Sequence, residues 1–388
     1  MNTNTLQSVQ SNDTGLDNTV YFIGQDLHSN NVYVTVMVNQ VKEDGTSYGK
    51  VVASRRITLR KGQKEYIDFM SRFCEGKQHI AVVESTYNVY WMNDLFEERG
   101  WNLLIADPST VSRDKTKACN DKTDATFLAD TLRNGSCHVT RLLPSEVRYP
   151  RDLVRTRQTL IQQRARAKTI IKNLWMNIKG YPLTTKEMNQ FLDEYVETHE
   201  VNEAFGGKYR SGPKARFYFE EIIFLTKEIE ILEEEIKELV PLKGDVLRLM
   251  REMKGVGEVC ARILITEIGD IRRFGSAGSF VSYCRLAPTA KLSNGKSKGM
   301  GNARNGNAYL SWCMTEVANL MVRYNEQARK CYERLLKRDT QHLRVKAIRS
   351  VAAKIARALW NVLSKGVCFD VERCFGTDAK NFSRKIAI

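Results

Sequence analysis

None of the nine cysteines in this 388-residue chain falls in CxxC spacing. An odd, unpatterned set fits reduced thiols in a cytoplasmic protein better than a zinc ribbon or a disulfide framework. The histidines His28, His79, His138, His199 and His342 show no ligand spacing. They read as structural or solvent-exposed, although His28 lies two residues beyond an acid of interest. No stretch approaches 18 uninterrupted apolar residues, so no membrane helix and no membrane partner are expected. The opening ten residues have neither a basic nor an apolar region, which argues against a signal peptide. Residues 1–17 are polar and are expected to form a disordered tail. Acidic groups are also in deficit, 45 against 60 basic ones, for a net charge of +15. The surplus favours a polyanionic partner over the plain alternative of lysine kept for solubility.

What is present divides the chain into parts. From 18 to 147 strands and helices mix. Strand patterns fall at 21–25, 32–38, 51–59, 79–84 and 101–106, and helical ones at 64–73, 90–99 and from about 121 to 135. Three strands in a meander followed by strand–helix alternation is the order of a ribonuclease-H-like mixed sheet. From 148 to 245 no strand pattern survives. A long helix at 151–180 carries eight Arg or Lys against the single acid Asp152, with Leu153, Leu160, Ala167 and Leu174 at heptad spacing. Residues 181–215 read as a loop-rich connection. Then Ile222, Leu225, Ile229, Leu232, Ile236 and Leu239 repeat as the seam of an acidic coiled-coil helix. The two helices suit an antiparallel hairpin or a dimer arm equally. Arg155, Arg157, Arg164 and Lys168 would therefore meet either phosphates or the acidic helix. From 246 to 388 the chain reads as α-helical, with an irregular stretch at 287–307 and a last helix at about 341–364.

The few acids sit at telling places. Asp26 ends the run Tyr21–Asp26, Glu84 ends the run His79–Glu84, and Asp121 and Asp124 open a helical pattern. Carboxylates three apart share one helix face. With two more from adjacent strand ends they would make an all-oxygen cage suited to Mg²⁺, the ion of phosphoryl transfer. The plain alternative is that each acid forms a turn or a cap, Asp121 capping its own helix. Two further segments carry chemistry. Lys254-Gly255-Val-Gly257 between helical patterns has the form of a helix-hairpin-helix that offers backbone N–H groups to a phosphate, or of a plain helical turn. Ser293, among Lys291, Lys296, Lys298 and Arg304 with no acid from Arg285 through Arg304, is a candidate nucleophile or part of a polar turn.

In order, these motifs resemble the DEDD transposases of the IS-one-ten type, insertion-sequence recombinases guided by a bridge RNA. The resemblance covers roughly residues 18–375. It rests on Ile23-Gly-Gln-Asp26, Val82-Val-Glu84-Ser-Thr86, Ile105-Ala-Asp-Pro108, Asp121 before Lys122-Thr-Asp124-Ala, Gly255-Val-Gly257, Phe280 through Leu286-Ala-Pro288, Ser293-Asn-Gly295, Asn305-Gly-Asn-Ala-Tyr-Leu310 and Gly366-Val-Cys-Phe-Asp370. It implies a RuvC-like domain in which Asp26, Glu84, Asp121 and Asp124 bind Mg²⁺, a coiled-coil arm, and a C-terminal transposase domain whose Ser293 becomes joined to DNA. It also implies a homo-oligomer, a dimer of dimers in which the serine of one subunit completes the acidic site of another. The partners would be donor DNA, target DNA and a structured non-coding guide RNA. Tyr87, where the resemblance more often has glycine, and the polar N-terminal extension depart from the pattern. The rival readings are a junction-resolvase-like nuclease that cuts with water, and a nucleic-acid-binding protein whose acids are structural.

Overall fold

The computed structural model describes residues 19–60, 62–107, 120–140, 142–206, 212–287, 290–293, 296–300, 305–338 and 343–376, and divides the chain into two compact units, 1–144 and 145–388. The tail expected at 1–17 lies outside the described residues, as does Arg304. No described helix is long and apolar enough to cross a membrane.

In the first unit, β1 (Tyr21–Leu27), β2 (Asn31–Val41) and β3 (Ser47–Thr58) form an antiparallel meander. There follow α1 (Lys64–Cys74), β4 (His79–Glu84), α2 (Tyr90–Arg99), β5 (Leu103–Ala106), α3 (Asp121–Arg133) and the short β6 (Val139–Thr140). The sheet order is β3-β2-β1-β4-β5-β6, with β4 parallel to both β1 and β5. Alternation along the strands decides what each face holds. Ile23 and Leu27 of β1 and Ala81 and Val83 of β4 pack with Tyr66, Phe69 and Met70 of α1 and Met92, Leu95 and Phe96 of α2. The intervening Phe22, Ile80 and Val82 pack with Leu128 and Leu132 of α3 on the other face. By the same parity Asp26 and Glu84 belong to the α3 face.

Gly24 is what lets α3 lie so close. A Cβ at this position would stand 2.0 Å from the Ala125 carbonyl oxygen and 2.4 Å from the Ala129 nitrogen. Only a residue without a side chain permits that approach. The small residues Ala125 and Ala129, both buried, complete the contact from the helix side.

The second unit opens with α4 (Ser145–Lys179), α5 (Thr185–Thr198) and α6 (Gly212–Leu239). Helices α4 and α6 pack antiparallel within the chain. Arg157 binds Glu233 on α6, Arg164 reaches Thr226, and Tyr149 donates to Glu235. The buried face of α4 is Val154, Gln158, Ala167, Ile171 and Trp175. Of the heptad expected from sequence only Ala167 belongs to it. The seam runs through polar positions that a purely apolar repeat skips. On α6 the expected seam is buried at Ile222, Leu225, Ile229 and Ile236 and partly so at Leu232, but Leu239 is exposed and Val240 takes the inward place. The stretch expected to be loop-rich holds α5, whose start is fixed by a reciprocal cap: Thr184 Oγ1 accepts from the Glu187 N–H and the Glu187 carboxylate from the Thr184 N–H.

The remaining elements are α7 (Asp245–Glu252), α8 (Glu258–Ile268), α9 (Ala277–Tyr283), β7 (Ala290–Ser293), β8 (Lys296–Met300), α10 (Ala308–Tyr324), α11 (Glu326–Arg338), α12 (Arg344–Lys365) and α13 (Val371–Phe375). Their core includes Leu264, Phe280, Met314, Val351 and Leu359, and it takes in Val154, Ile236 and Val240 from the root of the α4–α6 hairpin. The segment expected to be irregular contains an antiparallel pair, with Ser293 opposite Lys296. The intervening residue types, Asn-Gly, are the strongest short-range hairpin signal. None of the eight described cysteines is disulfide-bonded.

Candidate functional site

The carboxylates of the first unit are placed by three elements. Gln25 pairs with Val83 across the parallel β1–β4 ladder, so Asp26 and Glu84 are the next residues at neighbouring strand ends. Helix α3 begins beside them. Its N-cap is Asn120, not Asp121: Asn120 Oδ1 accepts from the Thr123 N–H and Thr123 Oγ1 from the Asn120 N–H, both at 2.9 Å. A cap one residue earlier leaves the Asp121 carboxylate available for other partners.

His28 is one of them. Its Nε2 lies 3.2 Å from Asp26 Oδ2 and 3.4 Å from Asp121 Oδ1. Asp26, His28 and Asp121 each offer a ligand atom within 4.8 Å of the others. Glu84 and Asp124 stand outside that group, but both are tied to it, Glu84 by strand register and Asp124 by its charge on Asp26. Burial pushes the Asp26 carboxyl up from its ordinary value. His28 partly offsets this, and the charges of Asp124 and Asp121 push it further up. Negative charge is thus gathered here in excess of its compensation, which is what a divalent cation relieves. The donors fit such an ion: cis ligands at octahedral bond lengths are about 3.0 Å apart, close to the two His28 separations. Asp26, Asp121 and His28 would hold the ion first, with Glu84 and Asp124 at its margin. The sequence shows no ligand spacing for His28, but its position two residues after Asp26 lets it approach the acids, as the structure shows.

In the second unit the expected nucleic-acid residues part company. Arg155 lies over the Tyr309 ring and binds Glu267 through two nitrogens at 2.5 and 2.8 Å. Arg157 and Arg164 are engaged with α6. Lys168, by contrast, has its ammonium pushed down by burial and by the neighbouring charges of Arg164 and Lys172. That is a local excess of positive charge on α4. Lys254 is exposed in the turn between α7 and α8. Gly255 adopts φ +134°, and a Cβ there would stand 3.2 Å from the Val317 carbonyl oxygen on α10. Packing therefore accounts for this glycine. Gly257 is the N-cap of α8, offers no side-chain cap and faces open space. Lys291 and Ser293 lie on β7, and Lys296 and Lys298 on β8.

A mixed α/β unit with acids at its strand ends, in a basic chain, is the architecture of a DEDD transposase domain, and the family profile of that group matches residues 23–178. A second profile, described as the transposase IS116/IS110/IS902 family, matches residues 247–333. The chain is 22% identical to the transposase for insertion sequence element IS1328 of Yersinia enterocolitica over 302 residues, 75% of this chain and 85% of that one. It is likewise 22% identical to the transposase for insertion sequence element IS1111A of Coxiella burnetii over 322 residues, 82% of this chain and 85% of that one. The chain belongs to the IS110 family of transposases. DNA is therefore its partner and strand recombination its chemistry.

Proposed function

We propose that this transposase has a RuvC-like, ribonuclease-H-type first unit and recombines DNA through a covalent phosphoserine intermediate under the direction of a structured non-coding RNA. The observation that carries the metal half is the convergence of Asp26, His28 and Asp121 at the strand ends. The strand order, with a meander on one side of β1 and parallel strands on the other, supports the fold assignment. An ion held there, Mg²⁺ by the hardness of the carboxylate oxygens, would stabilise charge developing on phosphate oxygens.

The rest is done by the chain. Ser293 Oγ attacks a DNA phosphorus, the bond from phosphorus to the 3′ oxygen breaks, and the serine ester conserves the phosphodiester for rejoining. The oxyanion-rich substrate would be held by positive charge: Lys168 and Lys254 among the described residues, and the basic residues of the Ser293 segment, Lys291, Lys296, Lys298 and Arg304. Backbone and shape recognition suffices if base pairing to a guide RNA chooses the site. A homo-oligomer, a dimer of dimers, in which one copy's serine serves another's acids is supported by a second apolar row on α6. Phe217, Phe224 and Ile231 recur every seven residues and are exposed, whereas the seam of that helix is already buried within the chain.

The test is a denaturing gel after reaction on labelled DNA. Wild-type protein should become linked to DNA, and Ser293→Ala should bind DNA yet leave no linked product. Asp124→Asn should lose the linked product as well. Cleavage by Ser293→Ala at the wild-type rate would favour the junction-resolvase reading, in which water attacks. Binding without any cleavage across a Mg²⁺ titration would favour a non-enzymatic protein.

A further inference from the structure

A carboxylate outside the metal site holds together the two ends of the segment that bears Ser293, and it is wholly buried. The Glu267 side chain on α8 has no exposure to solvent. Asn307 Nδ2 donates to its Oε2 at 2.6 Å, while Asn307 Oδ1 accepts from the Leu310 N–H and so caps α10. The Asn307 N–H in turn donates to the Tyr283 carbonyl at 2.6 Å. Arg285 Nε donates to the Gly306 carbonyl at 2.9 Å, and Arg349 donates to the Arg285 carbonyl. Chain entering at 283–287 and chain leaving at 305–307 are thereby clamped side by side. The foot is narrow: a Cβ on Gly306, at φ +96°, would stand 2.5 Å from the Tyr283 carbonyl oxygen.

The same carboxylate receives the root of the arm. Arg151 Nε stands 3.0 Å from Glu267 Oε2, and Arg155 binds both carboxylate oxygens. From the far side Arg273 donates to the Glu267 carbonyl at 3.3 Å and lies over the Tyr283 ring. The Glu267 side chain thus joins α8 to α4 and to the start of α10, and Asn307 and Arg273 carry the connection on to Tyr283 at the end of α9. Buried ionic networks of this kind fix a single arrangement more than they add stability.

We infer that Glu267 is a positioning residue for the Ser293 hairpin, holding its foot through Asn307 and relating that foot to the arm through Arg151 and Arg155. The inference rests on the reading of Ser293 as nucleophile. A misplacement of about 1 Å at a reacting group reduces rate by roughly 100-fold, so a loosened foot should show in the chemical step and not in DNA affinity.

The experiment loosens the network from its two sides. Asn307→Asp retains the cap acceptor for Leu310 but sets a carboxylate against Glu267. Glu267→Gln keeps the size of the side chain but removes the charge that Arg151 and Arg155 bind. We expect Asn307→Asp to slow formation of serine-linked DNA by about 100-fold with DNA affinity unchanged. Hydrogen exchange should quicken at once in residues 283–310 and 145–157, and Glu267→Gln should slow the linkage and quicken exchange in both segments as well. A wild-type rate in Asn307→Asp would overturn the inference, as would a Glu267→Gln variant that folds and binds DNA with wild-type rate and protection. If the wild type forms no linked DNA, the serine reading fails instead. The positioning claim then stands or falls on whether exchange quickens in both segments together.

Discussion

Asp26 in the first unit and Glu267 in the second are both largely withdrawn from water, yet their carboxyl groups move in opposite directions. Burial raises both. At Asp26 burial, joined by the charges of Asp124 and Asp121, outweighs His28, and the carboxyl ends above its ordinary value. At Glu267 the hydrogen bond from Arg155, the Arg151 charge and the Asn307 amide outweigh burial, and the carboxyl ends below it. The first site is a charge left incomplete by the protein, the second a charge completed by it. An incomplete site awaits an ion or substrate, and a complete one sets structure. The contrast predicts that the two acids answer oppositely when removed.

The largest effect should come at the incomplete site, and in activity alone. Asp26→Asn removes one donor and one repelling charge. Strand transfer measured on labelled DNA should fall by about 1,000-fold, the equivalent of roughly 4 kcal/mol, while the melting temperature holds or rises. A variant that unfolds at lower temperature than wild type would blur the contrast. Glu267→Ala should do the reverse, leaving Arg151, Arg155 and Asn307 unpaired. Breaking a buried pair from one side lowers stability by about 3–5 kcal/mol, read as the urea midpoint of the second unit. Because the folded carboxyl lies below the ordinary value of 4.5, its contribution is complete above that pH and is lost as pH falls through the folded value. Wild-type stability should therefore drop as pH falls below the ordinary carboxyl value and through the folded one, and Glu267→Gln should flatten that drop.

The difference between the two sites also explains what could be read before the fold was known. Asp26 and Glu84 end strands whose alternation is visible over a few residues, and Asp121 and Asp124 begin a helix with its own local pattern. Local periodicity thus carried the sheet and the acids. It missed the Asn120 cap, because Asp121 and Asn120 are equally good caps by type and only the backbone chooses. It also missed α5, although Thr184 and Glu187 stand at capping-box spacing. The Asn294-Gly295 signal for a hairpin was in view but was taken for a plain turn. Glu267 was harder. A glutamate within Ile263-Leu-Ile-Thr-Glu267-Ile268 is an oddity that sequence can flag, but Arg155 and Asn307 are 112 and 40 residues away. Nothing local connects them. The α4 seam failed for the same reason, since Gln158 and Arg164 face inward only because of what α6 offers.

A smaller effect tests how the incomplete site is assembled. Gly24→Ala puts a methyl into the Ala125 carbonyl and the Ala129 amide. Overpacking of this kind lowers stability by about 1–3 kcal/mol. It should do so by pushing α3 off β1, which carries Asp121 away from Asp26. Weaker metal binding together with a lower melting temperature is the expected pair of outcomes. Loss of stability with unchanged metal affinity would mean that α3 is held at its N-terminus by something other than this contact.

The smallest effect is the most discriminating. His28 is half-exposed, its ring meets Asp26 and Asp121, and its backbone carbonyl accepts from Asn88. Its removal should leave stability unchanged. If the imidazole serves merely as a bridge between two carboxylates, His28→Ala leaves them repelling each other, and a divalent ion should bind as well or better. If it is a donor, affinity should weaken by about tenfold, near 1.4 kcal/mol. Mn²⁺ bound to wild type should then show hyperfine coupling to an imidazole nitrogen that the variant lacks. The separations of 3.2 and 3.4 Å suit a hydrogen-bonded bridge and an octahedral edge alike, so the nitrogen coupling decides between the two outcomes. Tighter Mn²⁺ binding by His28→Ala, with no nitrogen coupling in the wild type, would restrict the site to carboxylates.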